Sequence, residues 1–345
     1  MYYSQWSVYE DRNHFPRDIP YDYISNVFYC FIGIDEKTGN VKYMDENSDL
    51  EIEKIHSQQN LKISMSIGGW GLGDKFSVVM KNDKKFLRFI KSSIEMMTRH
   101  DFDGIDLDWE YPQNEEDAKK MVKLLKYLRY ALNQIERITG KEPGSLLLSV
   151  ASPCSLENLN AFHLKEMDNY LNFWNLMCYD FAGSWSQKVD YHSNLYSTRP
   201  DQNSVDKAVK HYISKGINSR KLILGMPNYG RSFTETSGYG ESFKGVGKGS
   251  LDEEGIWNYN QLPLPRCKEE FDKKAVAAWN YDPENKTFIS YDNLESARIK
   301  ANYVVENSLG GGMWWESCGE NYENIKRSTV HNFVDELYKN SPELF

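Results

Sequence analysis

The sequence predicts an α/β protein: a (β/α)8 TIM barrel with a small α+β insertion between its seventh and eighth strands. Three observations predict it. Eight short apolar or alternating runs recur along the 345 residues. Longer segments with 3.6-residue apolar spacing separate them. One interval near the end breaks this rhythm with clustered glycines and aromatics. Strands alternating with helices imply a parallel sheet, and eight of them suit a closed barrel. An open doubly wound sheet is the competing arrangement.

The expected strands, in order, are Tyr2–Tyr9, Ser25–Ile34, Leu61–Gly69, Phe102–Glu110, Ser145–Pro153, Phe173–Asp180, Lys221–Asn228 and Gly310–Glu316. Between them, Asp83–His100 carries Phe86, Phe89, Ile90, Ile94, Met96 and Met97 on one broad helical face. A second helix is expected over Glu115–Thr139, with Gly140 as its C-terminal cap. Others are expected at Ser204–Lys215, Asn293–Ser308 and Tyr322–Tyr338. Between Arg231 and Tyr291 no amphipathic helix is legible. Instead there are Gly238, Gly240, Gly245, Gly247 and Gly249, followed by the short runs Val276–Tyr281 and Thr287–Tyr291. The expected division is therefore a barrel from residues 1–231 and 291–345, and an insertion over 232–290.

Composition narrows the function. Lys and Arg number 41 against 50 Asp and Glu, a net charge of −9 that disfavours nucleic acid and anionic membrane as partners. No stretch is long and apolar enough for a transmembrane helix. Five cysteines (Cys30, Cys154, Cys178, Cys267, Cys318) without a CxxC pair suit free thiols better than a disulfide framework or a zinc site. The chain starts Met1-Tyr2-Tyr3 without a leader pattern, so the expected location is cytoplasmic if the sequence is full-length and secreted otherwise. A monomer is expected. Aromatic residues make up 14 % of the chain, a high share.

The most informative segment is Asp103-Gly104-Ile105-Asp106-Leu107-Asp108-Trp109-Glu110. Side chains alternate across a strand, so Asp106, Asp108 and Glu110 share one face and Ile105, Leu107 and Trp109 the other. With the apolar face packed on helices, three carboxylates point into the barrel. Burial and mutual repulsion must raise at least one pKa. Asp103 is off this parity, and a structural role near the strand's beginning is expected for it. Glu110 falls at the C-terminal end of its strand, where barrel active sites are built. The outermost acid suits a general acid near working pH, and the inner two suit a coupled pair sharing a proton. Such a relay fits glycosidic cleavage. A solvated acidic loop and an all-oxygen metal site are the alternatives, and no neighbouring His supports a metal.

Other strand ends add to this. Lys62–Trp70 places Ser64 and Ser66 inward, then Gly68 and Gly69 where backbones can approach closely, then Trp70. Asn175–Asp180 puts Met177 and Tyr179 on one face, while Asp180 falls where the strand bends into its loop. Gly310–Glu316 puts Met313 and Trp315 together. Aromatics at several strand ends suit stacking under sugar rings, although core packing explains each one taken singly.

Together these residues resemble glycoside hydrolase family 18, the chitinases. The resemblance rests on DxxDxDxE at Asp103, Asp106, Asp108 and Glu110; SxGG at Ser66, Gly68 and Gly69; MxYD at Met177, Tyr179 and Asp180; and GMPxYGR over Gly225–Arg231. Tyr2–Trp6 and Gly312–Glu316 resemble the family's first and last strands, so it spans nearly the whole chain. The resemblance implies hydrolysis of β-1,4-linked N-acetylglucosamine polymers with retention, the substrate's acetamido oxygen serving as nucleophile through an oxazolinium ion. It implies Glu110 as proton donor, Asp108 and Asp106 as its support, and Tyr179 as donor to the acetamido oxygen. It further implies a cleft formed by Tyr2, Phe31, Gly68, Gly69, Trp70, Tyr111, Met177, Asp180, Tyr229, Arg231 and Trp315. The expected partner is chitin or a chito-oligosaccharide, with no cofactor and no metal. An endo-β-N-acetylglucosaminidase acting on N-glycans and a non-catalytic lectin of the same fold are the rival readings.

Overall fold

The computed structural model describes residues 1–9, 12–45, 61–250 and 253–342. Its main sheet contains β1 (Tyr2–Ser4), β2 (Asn26–Ile34), β3 (Val41–Tyr43), β4 (Lys62–Gly68), β5 (Gly104–Asp108), β6 (Leu147–Pro153), β7 (Phe173–Met177), β8 (Leu222–Pro227) and a last strand, β14 (Gly311–Trp315). The hydrogen-bonded path runs β1-β2-β4-β5-β6-β7-β8-β14, every pair parallel. With β14 lying against β1, the sheet curls into a nearly closed eight-stranded barrel. The short β3 pairs antiparallel with the outer end of β2, Val41 opposite Ile34.

Helices cover the outside: α1 (Gly73–Met80), α2 (Asp83–Arg99), α3 (Glu115–Thr139), α4 (Leu164–Asp168), α5 (Val205–Ser214), α6 (Leu294–Glu306) and α7 (Thr329–Asn340). The starts of α2 and α3 are set by local chemistry. Asn82 Oδ1 accepts from the amides of Lys84 and Lys85, and Asn114 Oδ1 from that of Asp117. Gly140 ends α3 in the left-handed region at φ 70°. The buried stripe of α3, namely Met121, Leu124, Leu125, Leu128 and Leu132, meets the outward faces of β4 and β5 in one core. That core contains Ile105, Leu107 and Trp109, and the Trp109 ring stacks on Phe76 of α1 at 5.1 Å. The apolar parity of β5 is thus spent on the helices, which leaves its acids to the barrel interior. Asp103 ties the start of β5 to β4, accepting from Ile63 N at 2.9 Å and from Lys62 Nζ at 2.7 Å.

Boundaries differ from expectation where 3-10 turns take over from the expected elements. The first strand stops at Ser4 and continues as a 3-10 turn, Gln5–Val8. The last helix starts at Thr329, capped by Ser328, after a 3-10 turn rather than at Tyr322. Helices α1 and α4 were not expected, being only 8 and 5 residues long. A second, antiparallel sheet separates β8 from β14: β9 (Tyr229–Phe233), β10 (Ile256–Asn258), β11 (Glu269–Asp272), β12 (Ala277–Asp282) and β13 (Thr287–Tyr291), in the order β10-β9-β13-β12-β11. It begins at Tyr229, so Tyr229 and Arg231 are carried on its first strand. Among the described residues, no helix is long and apolar enough to cross a membrane.

Candidate active site

At the C-terminal end of the barrel, five strands converge on the acids of β5. Asp106 is fully buried. Its Oδ2 accepts from Tyr2 OH and Ser66 Oγ, each at 2.8 Å; its Oδ1 accepts from Ser149 Oγ at 2.6 Å and Asn175 Nδ2 at 3.3 Å. These donors come from β1, β4, β6 and β7. Burying a carboxylate costs several kcal/mol, and hydrogen bonds to a charged group return ~1.5–3 kcal/mol each, so four donors make an ionised Asp106 tolerable there. Burial still leaves its pKa above the ordinary carboxylate value, against the pull of the four donors.

Asp108 is the contrasting case. It is buried, and its Oδ1 has no protein partner. Burial first, then the neighbouring Glu110 and Asp106, push its pKa well above the ordinary value, which favours the protonated form. Glu110 lies just beyond the strand end and is half-buried. Burial raises its pKa to about 7; a hydrogen bond from Tyr111 pulls it down, and the charge of Asp180 raises it further. The three stacked carboxyls therefore differ in kind: Asp106 is held by four donors, Asp108 is left to burial and its charged neighbours, and Glu110 is balanced near neutrality.

Two glycines let β4 and β5 close around this stack. Gly68 has φ 119°, and a Cβ there would lie 2.1 Å from the Asp108 carbonyl oxygen. At Gly69, φ 96°, a Cβ would lie 2.5 Å from the Phe31 ring, and its amide donates to the Asp108 carbonyl at 2.9 Å. Both act through the backbone rather than by lining the cleft.

The facing wall comes from β7 and β9. Tyr179 is buried, and burial, with Tyr229 and Asp180 beside it, holds its phenol neutral far above pH 10. Asp180 turns the chain away at φ 58°, which is the break in parity visible in the sequence. Its Oδ1 accepts from Tyr229 OH at 2.5 Å and Arg231 Nε at 2.6 Å. Packing around Asp180 opposes ionisation, but the Arg231 guanidinium and then His192 override it and hold the carboxyl well below the usual range. Trp315 stacks on Phe31 at 5.5 Å and lies 5.5 Å from Tyr2, closing the floor.

These side chains surround a cleft of about 910 Å³, lined by Tyr2, Phe31, Trp70, Asp108, Glu110, Tyr111, Met177, Tyr179, Asp180, Arg231 and Trp315 among others. Tyr229 lines a smaller adjoining cavity of about 130 Å³, with Arg12, Glu253 and Asn258. Every expected site residue is thus at or directly beneath the cleft. Trp70, 83 % exposed, stands at its rim. Its counterpart, Trp185, was not expected. It is 59 % exposed, with the Arg231 guanidinium 4.8 Å from its ring centre. Its only signal is a lone Trp in a Gly-Ser loop. Ser149 and Asn175 were missed as well, although each shares the inward parity of its strand. Among the described residues, no group of three or more His, Cys, Asp or Glu is arranged to hold a metal ion.

Residues 1–320 match the model of the family described as glycosyl hydrolases family 18. The chain is 38 % identical over 406 residues to sporulation-specific chitinase 2 of Saccharomyces cerevisiae, covering all of this chain and 79 % of that protein. It is 33 % identical over 348 residues to endochitinase 1 of Metarhizium robertsii, covering 93 % of this chain and 81 % of that one. Among solved structures, a GH18 chitinase from Cycas revoluta in complex with (GlcNAc)3 superposes with TM-score 0.86 at 26 % identity, covering 97 % of this chain and 98 % of that one. The chain belongs to glycosyl hydrolases family 18.

Proposed function

We propose that this protein is a chitinase that cleaves β-1,4-linked N-acetylglucosamine chains with retention, using the substrate's acetamido group as nucleophile. The observation that carries the reading is Glu110, a strand-end carboxyl with its pKa raised to about 7, stacked above the buried Asp108 and the four-donor Asp106. A carboxyl poised near neutrality gives its proton to the glycosidic oxygen as the bond breaks. The acetamido carbonyl oxygen attacks the anomeric carbon and forms the oxazolinium ion; Glu110, now ionised, then takes a proton from the water that opens it. The Asp106–Asp108 pair shares one proton. As that proton moves toward Asp106, Asp108 accepts the acetamido N–H and balances the ring's positive charge. Tyr179, held as a neutral phenol, donates to the acetamido oxygen. Trp315 supports the apolar face of the distorted sugar, and Trp70 supports sugars nearer the rim.

The catalytic barrel lies on either side of a side wall built from the second sheet, which opens at Tyr229 and ends at Tyr291; Glu253, Ile256 and Asn258 beside the smaller cavity support this division. Every group named comes from one chain, so a monomer suffices. The test is hydrolysis of a chromogenic chitotrioside by wild type and Glu110→Gln. The expected result is turnover by the first and a loss of about 10²–10⁴-fold in the second. Equal rates, or binding without turnover by wild type, would overturn the reading, and the second outcome would indicate a lectin.

A further inference from the structure

The cysteines of this chain are widely spaced in sequence, and all five carry free thiols in the structure. Two of them are not apart in the fold. Strands β6 and β7 pair in parallel register, Ser152 opposite Leu176 and Pro153 opposite Met177, and the residues that follow directly on the two strand ends are Cys154 and Cys178. Both side chains are buried in the core between barrel and helices, and their sulfurs lie 2.7 Å apart. Register, shared burial and sulfur proximity agree. Neighbours just past two paired strand ends suit the Cα separation a disulfide needs. We propose that Cys154 and Cys178 are a built disulfide site, oxidised by a glutathione-type disulfide while the chain folds, which staples β6 to β7 one residue before Tyr179.

The chemistry balances by two exchanges. One cysteine thiolate attacks oxidised glutathione, forming a mixed disulfide and releasing one glutathione thiolate. The second cysteine thiolate attacks the protein sulfur of that mixed disulfide, forming the Cys154–Cys178 bond and releasing a second glutathione thiolate. The two thiol protons pass to the two released thiolates, and the two electrons leave with them. Burial raises the Cys154 thiol well above its ordinary pKa, with Cys178 adding to the effect, so exchange is slow once the fold has closed. The bond therefore forms during folding. The remaining cysteines are not paired in this way: Cys30 Sγ donates to the Tyr3 carbonyl, and Cys318 Sγ accepts from Arg12.

The experiment refolds the full chain from denaturant in two buffers, one with dithiothreitol and one with a reduced/oxidised glutathione mixture. Each sample is then acid-quenched, denatured, alkylated and digested for mass spectrometry. The glutathione sample should contain three alkylated cysteines, Cys30, Cys267 and Cys318, and one peptide linking 154 to 178. The dithiothreitol sample should contain five. The 25-residue loop closed by the bond predicts a Tm roughly 3–5 °C higher for the oxidised form. Cys178→Ser should abolish both the linked peptide and the Tm difference. Five alkylated cysteines in the glutathione sample would overturn the proposal, as would a link between other cysteines, and wild type alone decides this even if the variant does not fold.

Discussion

Glu110→Gln tests the electrostatics of the site without reference to turnover. Folded Glu110 keeps its proton to about 7, while the unfolded chain releases it near the ordinary 4.5. Between those values the native state binds more protons than the unfolded state, so wild type loses stability as pH rises through the window. The shift corresponds to at most ~3.5 kcal/mol, since each pH step of one is worth about 1.4 kcal/mol. Glutamine does not titrate and escapes this loss. It also relieves Asp108, whose own pKa is raised partly by Glu110. A chain of 345 residues unfolds with an entropy of ~0.7 kcal/mol/K, so the Tm advantage of Glu110→Gln should grow by up to about 5 °C between pH 4 and pH 8. Thermal denaturation of both proteins at each pH measures this directly. A difference that stays constant, or shrinks as pH rises, would refute the assignment of a raised pKa. The same group predicts a basic limb near pH 7 in the wild-type kcat/KM profile, with activity falling as Glu110 loses its proton.

Further outcomes follow from single contacts. Gly68→Ala should destabilise the fold by about 3 kcal/mol or more, because the new Cβ meets the Asp108 carbonyl; Gly71→Ala, at φ 84° with open space around it, should cost only ~1 kcal/mol. Equal losses in denaturant melts would contradict the close approach of β4 and β5. Tyr179→Phe should lower kcat by about 10²-fold with little change in KM, as expected for a donor used in the transition state; steady-state kinetics on chitotetraose separates the two. Trp185→Ala should raise KM for long oligomers by roughly 3–10-fold and leave the shortest substrates unaffected.

How much was legible depended on whether a feature is local. The alternation of Ile105, Leu107 and Trp109 with Asp106, Asp108 and Glu110 is a property of consecutive residues, and the fold keeps it. The helical stripe of α3 and its Gly140 cap are local too, and that helix matches its expected bounds. The site's supporting groups depend on partners far along the chain. Asp106 gathers hydroxyls from Tyr2, Ser66 and Ser149 and an amide from Asn175, and no spacing links these residues. Cys154 and Cys178 meet only because β6 and β7 lie in register. The spacing places Tyr229 and Arg231 at the end of the barrel, yet they ride on the first strand of the second sheet and reach back to Asp180. Strand ends were blurred because Gln5–Val8 and Ile325–Arg327 tighten into 3-10 turns, whose apolar spacing resembles that of the elements they extend.

The measurement that bears most directly on the mechanism compares initial rates on fully N-acetylated chitotetraose with those on its fully deacetylated counterpart. If the substrate's acetamido oxygen is the nucleophile, with Asp108 and Tyr179 serving it, the acetylated chain is cleaved and the deacetylated one is not. Comparable rates on both would contradict the account, because the nucleophile would then have to come from the protein or from water.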